Sequence, residues 1–285
     1  MNFCSRVSLA AHEQMVGTGV RGQAYVFLPA PKRLWHEQEM NSHWASHEEL
    51  QAIRLARKSG VVTRLYNPPA GQGAQPAPML VYAPVGEAHE GLQRLIARFA
   101  GRWPIDAEGR PRVAICVHGT RDRCCAKFGF AAFQTARRLH EAGASLFEPI
   151  ECSHLGGDRF AATGVFFPSG SMYAHLDLDL AAICAAEGQG RLSPANYRGG
   201  VFDSPPVQLA RTALAREGLL DEAAAPVAVT ERGPLELEAE VAGRRYRIRL
   251  KLAQVEFFGS CAAMAAGRPS RARRAVIDGA ELLAG

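Results

Sequence analysis

The chain has 285 residues, 47% of them hydrophobic, which allows one large or two modest domains and a sizeable buried core. Its net charge of +5 is mild, and the arginines are spread along the chain without a Lys/Arg block, so a nucleic-acid surface is not expected. There is no apolar run of the ~18 residues a membrane span needs, Met1–Gln14 lacks the basic-then-apolar order of a signal peptide, and an odd set of 7 cysteines with two adjacent is a poor disulfide framework, so a reducing cytoplasm is the expected setting.

Cys4, in Phe3-Cys4-Ser5, reads as a small buried residue. Gln23–Leu28, bounded by Gly22 and Pro29, is apolar and predicts a strand. A polar loop with Trp35, His36, His43, Trp44 and His47 follows, and it is expected to be solvated. Ser46 and Glu49 form a capping box ahead of Leu50, Ile53 and Ala56 at helical spacing, with Gly60 as the stop. Val61–Tyr66 and Met79–Tyr82 predict strands on either side of the Pro/Gly/Gln-rich loop Asn67–Pro78. Glu87–Ala100 predicts a helix with Leu92, Leu95, Ile96 and Phe99 on one face, and Gly101–Pro111 reads as a connector.

The second half repeats this order. Arg112–Val117 predicts a strand, and Phe128–Glu141 a helix with Phe130, Phe133 and Leu139 inward and Gly143 as the stop. Ser145–Glu151 predicts the next strand, Thr163–Phe167 and Ser171–His175 a hairpin, and Leu176–Ala186 a helix. Asp203 or Ser204 as cap, with Pro205 and Pro206, then opens a helix that runs to about Glu217 and stops at Gly218, followed by the alanine-rich linker Asp221–Pro226.

Beyond the linker, Leu235, Leu237, Ala239 and Val241 alternate with glutamates, and Tyr246, Ile248 and Leu250 alternate with arginines. A two-residue turn at Ala242-Gly243 sets Glu240 against Arg245, Glu238 against Arg247, Glu236 against Arg249 and Leu237 against Ile248. A one-residue slip would put glutamates opposite apolar residues, so the register is well specified. Each opposite-charge pair is expected to contribute about 0.2–1 kcal/mol. Phe257-Phe258-Gly259-Ser260-Cys261 then leads into a tail rich in arginine and small residues, with Cys261 read as a packing residue.

The chemistry concentrates in two loops. One is Cys116-Val117-His118-Gly119-Thr120-Arg121-Asp122-Arg123-Cys124-Cys125; the other is Glu151-Cys152-Ser153-His154-Leu155-Gly156-Gly157-Asp158-Arg159-Phe160. A loop after one strand and the end of the next strand can meet in space, and thiolates with imidazole are the donors expected for zinc or an iron–sulfur centre. Adjacent Cys124 and Cys125 cannot easily both bind one metal.

Within these loops, the words Cys116–Ala126 and Ser153–Ala161, with Phe167-Pro168-Ser169-Gly170, Tyr197-Arg198-Gly199 and Ser260-Cys261, resemble the sucrase/ferredoxin-like family, whose better understood members are thioredoxin-like [2Fe-2S] ferredoxins. The resemblance, together with the strand–helix–strand, hairpin, helix order, implies an α/β, thioredoxin-like fold. It suggests two tandem thioredoxin-like halves: residues 1–105 without ligands, and residues 106–285 with them and with a C-terminal helix and β-hairpin extension. It also implies a [2Fe-2S] cluster on Cys116, Cys125 and His154. The fourth position holds Asp158 where the family's Cys/His branch has histidine. Asp158 itself, a substitute Cys152 or Cys124, or loss of the cluster all stay open at this stage. His118, Gly119, Arg121, Arg123, Gly156, Gly157 and Arg159 are expected around the centre: glycines for close backbone approach, arginines to offset thiolate charge, and His118 as a donor to sulfur or as a structural loop residue. The family also tends to carry cysteines at the positions of Cys4 and Cys261.

The leading expectation is an electron-transfer protein with a protein redox partner, no nucleic acid and no membrane, more a carrier than an enzyme with its own substrate. A thiol oxidoreductase or redox sensor is the alternative, although the chain has no Cys-x-x-Cys. A zinc-binding or cluster-free scaffold is the third reading. A glycosidase would need two carboxylates flanking a sugar cleft, and no such pair is recognisable.

Overall fold

The computed structural model describes residues 2–36, 44–69, 76–84, 89–220, 222 and 225–283. The larger sheet is built from β1 (Ala24–Pro29), β2 (Val61–Tyr66), β3 (Met79–Tyr82), β4 (Ile105–Asp106), β5 (Arg112–Cys116), β6 (Glu148–Cys152), β7 (Gly164–Phe167), β8 (Ser171–Tyr173) and β9 (Tyr197–Gly200). Among the described residues, its 9 strands run in the order β4-β3-β1-β2-β6-β5-β7-β8-β9. β1 and β2 are parallel, joined by α2 (His47–Lys58), with β3 antiparallel to β1. β5 and β6 are likewise parallel, joined by α4 (Phe130–Glu141), with β7 antiparallel to β5 and β8 antiparallel to β7. The two strand sets meet where Tyr66 of β2 pairs with Cys152 of β6.

Strand alternation sorts the core onto the two faces of this sheet. Val26, Leu28, Val113 and Ile115 pack on one face with Ile53 of α2, Leu95 and Phe99 of α3 (Glu90–Phe99), Ala132 and Ala136 of α4, and Ile183 of α5 (Leu176–Gly188). Tyr25, Phe27, Ala114, Cys116, Ile150 and Cys152 pack on the other, with Phe167 and Cys125. All the cysteines except Cys184 thus gather on the face opposite these four helices.

Arg112 is buried at the start of β5, held 2.8 Å from both Asp106 and Glu148. The capping box at α2 forms as read: the Glu49 N–H donates to Ser46 Oγ at 3.2 Å, and the Ser46 N–H donates to Glu49 at 2.6 Å.

A second, antiparallel sheet is formed by β10 (Ala228–Gly233), β11 (Glu236–Val241), β12 (Arg244–Phe257) and β13 (Ser270–Leu282), in that order. Its apolar face, with Leu237, Ala239, Tyr246 and Ile248, covers Ala210, Ala213 and Leu214 of α6 (Pro205–Arg216). The β11/β12 register is the one the charge pattern required: Glu236 opposite Arg249, Leu237 opposite Ile248, Glu238 opposite Arg247 and Glu240 opposite Arg245. The close ion pairs, however, run diagonally, Arg245–Glu238 at 3.4 Å and Arg247–Glu236 at 3.5 Å. Diagonal neighbours on a pleated sheet lie within reach of long side chains.

Several expectations are corrected. Trp35 and Trp44 are buried, and Trp44 stacks on Trp103, because these rings close the helix-bearing face of the sheet. Phe130 is 42% exposed, since α4 turns its alanines to the sheet for close packing. The connector contains edge strand β4, paired in parallel with β3. The arginine-rich tail is the long strand β13, paired along β12. Residues 4–10, not expected to be regular, form α1 (Cys4–Ala10). The expected helix start at Glu87, together with His43, residues 70–75 and Asp221, Ala223 and Ala224 of the linker, lies outside the described residues. Among the described residues, no helix is long and apolar enough to cross a membrane.

Candidate metal centre

Parallel strands β5 and β6 end side by side, with Cys116 and Cys152 as register partners. Beyond β5 the chain crosses a short loop into a π-helical turn, Cys125–Gly129, that leads into α4. Such wide turns occur often at functional sites; this one brings Cys125 back over the end of its own strand. Beyond β6 the chain passes His154 and reaches a 3₁₀ turn, Asp158–Phe160.

The outcome is a compact donor group. Cys116 Sγ, Cys125 Sγ and a ring nitrogen of His154 lie within 4.8 Å of one another. Asp158 Oδ1 sits 3.1 Å from His154 Nδ1 and 3.7 Å from Cys125 Sγ. Cys116, Cys125 and Asp158 are buried. Cys152 is buried on the same face as Cys116 but does not join this group. Cys124 turns elsewhere, with its sulfur 3.5 Å from Cys4 and 3.3 Å from Cys261.

The electrostatics polarise the two thiols. The hydrogen bond from Cys125 holds Cys116 well below the ordinary thiol range, aided by His154 and the His118 backbone N–H, while burial opposes. That same contact, with burial, pushes Cys125 up. Burial would lower His154, but the adjacent Cys116 and Asp158 raise it above its ordinary value. Burial pushes Asp158 up to about 6, against the opposing pull of His154.

His118 works through its backbone and its ring separately. Its ring Nε2 lies 2.9 Å from the His36 carbonyl, and its Nδ1 accepts from the His154 N–H at 3.2 Å, so Nε2 carries the proton. The imidazole therefore ties the two loops together, which is the structural-loop reading. Gly156 and Gly157 have φ of +88° and +80°, a region L side chains rarely adopt. Gly119 is exposed and approaches Ala126. The arginines do not simply encircle the thiols. Arg159 pairs with Glu13 at 2.7 Å and lies over the Phe160 and Phe257 rings. Arg123, exposed, lies 5.7 Å over Phe3. Arg121 is exposed but close enough to pull Asp158 down. Their side chains have local partners that the sequence does not display.

Two residues of the site escaped sequence reasoning. A Cβ on Gly129 would fall 2.0 Å from the Cys116 carbonyl oxygen, so only glycine lets the turn pass under the end of β5. Arg198, buried, donates to the Gly156 carbonyl at 2.9 Å and to the Thr18 carbonyl at 2.7 Å, holding the His154–Asp158 loop from behind. Its place in the word Tyr197-Arg198-Gly199 was the available signal.

Two thiols, an imidazole and a carboxylate, with His154 Nδ1 buried and lacking a well-directed hydrogen bond, form a donor set that fits a metal ion or an iron–sulfur centre. No curated protein and no solved structure matches the chain. The sucrase/ferredoxin-like family model matches residues 15–199, which contain both metal-site loops and Arg198. The chain is a member of the sucrase/ferredoxin-like family.

Proposed function

We propose that the chain is an electron carrier that holds a [2Fe-2S] cluster on Cys116, Cys125, His154 and Asp158. The convergence of these donors from two loops after parallel strands carries the reading. Asp158 is the fourth donor in this proposal because its carboxylate touches both His154, at 3.1 Å, and Cys125, at 3.7 Å, whereas Cys124 faces Cys4 and Cys261. When bound, the cluster supplies one-electron transfer at a potential above that of an all-cysteine centre, because imidazole is neutral where thiolate is charged. The chain's own residues prepare the site: Cys125 and His154 favour the Cys116 thiolate, burial keeps water away, and His118 fixes the His154 backbone. A redox protein is the partner this role requires.

The proposed scaffold is thioredoxin-like and tandem, with residues 1–105 as the half without ligands and 106–285 as the half with them. Strand order supports this. β6-β5-β7-β8 has a parallel strand–helix–strand pair beside an antiparallel hairpin, followed by α5. β2-β1-β3-β4 has the same spatial order, but β4 is parallel to β3 where β8 is antiparallel to β7, and α3 precedes β4 where α5 follows β8.

The polarised Cys116–Cys125 pair favours a second reading, a dithiol oxidoreductase. Both thiols are 2% exposed, which speaks against direct attack on a protein disulfide. Anaerobic purification with iron and sulfide analysis separates the readings. The ferredoxin reading expects visible absorption with about two irons and two sulfides per chain, lost in Cys116→Ser and weakened in Asp158→Ala. An undiminished cluster in Asp158→Ala moves the fourth donor to Cys152. A colourless chain after anaerobic reconstitution overturns the reading, and disulfide reduction by that chain supports the dithiol one.

A further inference from the structure

Cys4, Cys124 and Cys261 come from the N-terminal helix α1, from the loop after β5 and from the short helix α7 (Cys261–Ala265) between β12 and β13. Their sulfurs close a triangle with edges of 3.5 Å between Cys4 and Cys124, 3.3 Å between Cys124 and Cys261, and 3.7 Å between Cys261 and Cys4. A disulfide would bring two sulfurs to about 2.05 Å and leave the third aside. A tetrahedral zinc thiolate site has Zn–S of about 2.3 Å, which puts neighbouring sulfurs about 3.8 Å apart. The triangle is thus close to one face of such a tetrahedron.

Asp122 supplies the fourth corner. A carboxylate oxygen of Asp122 lies within 4.8 Å of all three sulfurs. Its Oδ1 accepts from the Cys124 N–H and its Oδ2 from the Cys261 N–H, each at 2.7 Å, so it orients two of the cysteines and retains lone pairs toward the sulfurs. All four residues are buried, at 1%, 0%, 3% and 4% exposure for Cys4, Cys124, Cys261 and Asp122. Backbone N–H groups of Ser5 and Cys4 also reach the sulfurs of Cys124 and Cys261.

We propose that Cys4, Cys124, Cys261 and Asp122 form a second metal site, a structural one for a thiophilic divalent cation, zinc foremost. Binding exchanges the three thiol protons, released to solvent, for the cation. Four protein donors in a buried setting leave no open position, which is the signature of a structural rather than a catalytic site. Two of the donors, Cys4 and Cys261, lie outside the span matched by the family model, residues 15–199. The site clamps both of those flanking segments onto the loop that carries Cys116 and Cys125. It also gives adjacent Cys124 and Cys125 different tasks: Cys125 faces His154 and Asp158, while Cys124 faces the flanking segments. The inference stands on this geometry alone and does not depend on the cluster proposed above.

The test uses the full chain with Cys116→Ser and His154→Ala, so that zinc at the other centre does not contribute. About one zinc per chain after desalting is expected, falling below about one-fifth when Cys4→Ser and Cys261→Ser are added. Cobalt(II) added to the metal-free chain should produce thiolate charge-transfer absorption and tetrahedral d–d bands, absent with Cys4→Ser and Cys261→Ser. A third readout needs none of the ligand variants of this site. In the zinc-loaded chain, Cys4, Cys124 and Cys261 should resist alkylation and become reactive when a chelator is added, with Cys184 unchanged by the chelator. The proposal is overturned if the Cys116→Ser/His154→Ala chain holds no zinc and shows no tetrahedral cobalt bands. It is equally overturned if chelator leaves the reactivity of all three cysteines unchanged, or if zinc survives Cys4→Ser with Cys261→Ser.

Discussion

Gly129 and Arg198 show how single residues set the centre. A methyl group at Gly129 collides with backbone, the Cys116 carbonyl, and backbone cannot swing aside like the end of a side chain. Gly129→Ala should therefore cost about 3 kcal/mol or more and, under the proposed function, abolish iron loading. Gly101→Ala, at a site with no atom within 4 Å of the added carbon, should leave the denaturation midpoint nearly unchanged. Arg198 spans Gly156 and Thr18 through separate guanidinium nitrogens, which the single ammonium of lysine cannot copy. Arg198→Lys is expected to lose about 2–3 kcal/mol and to lower iron content in parallel. Full iron content with unchanged urea stability would show that the loop stands without it. The residue types in the two loops made the thiol and imidazole donors legible from sequence. So was the expectation that adjacent Cys124 and Cys125 would not share one metal; what Cys124 turns toward was not, because it depends on where residues 4 and 261 come to rest.

Among the elements, the β11/β12 hairpin was the most legible, because alternation of apolar residues with glutamate and then arginine permits one register. Its turn is less well matched. Ala242 and Gly243 adopt φ of +50° and +75°, and the left-handed region is unfavourable for alanine. Ala242→Asn should stabilise the chain by about 0.5–1 kcal/mol, read as a rise in denaturation midpoint. Glu187, on α5, is buried and accepts from Tyr173 and from Ser169, the latter at 2.9 Å. Burial raises its pKa, with those hydrogen bonds opposing. The folded state therefore binds this proton more tightly than the unfolded chain does. The corresponding stability is full below the ordinary carboxylate range and is lost as pH rises through the elevated folded value. Glu187→Gln should flatten that part of the stability–pH curve. A curve of unchanged slope would mean that the hydrogen bonds from Tyr173 and Ser169 fully offset burial.

At the scale of the whole molecule, the nine-stranded sheet depends on a narrow seam between β2 and β6. Ser153 secures it, accepting from the Leu65 N–H at 2.9 Å through its side chain and donating to the Leu65 carbonyl at 2.8 Å through its backbone. Glu151 adds a contact to Lys32 at 2.8 Å and one to Asn67 at 2.7 Å. Ser153→Ala leaves a buried N–H without that acceptor and should cost about 1–3 kcal/mol. Because Ser153 precedes His154, iron content should fall with stability; a loss of stability alone would separate the seam from the centre. Most helices and strands between β1 and α6, the capping box of α2, the hairpin register and the donor-bearing loops were determined by the sequence itself, since each rests on local periodicity or on residue chemistry within a few positions, whereas α1, β4 and β13 were not. Tertiary structure alone decided which strands meet at the seam, that Trp35 and Trp44 are buried, that Arg159 is taken up by Glu13, and that Cys4 and Cys261 join Cys124. These are contacts between segments as many as 257 residues apart, and no local pattern encodes the packing that brings such segments together.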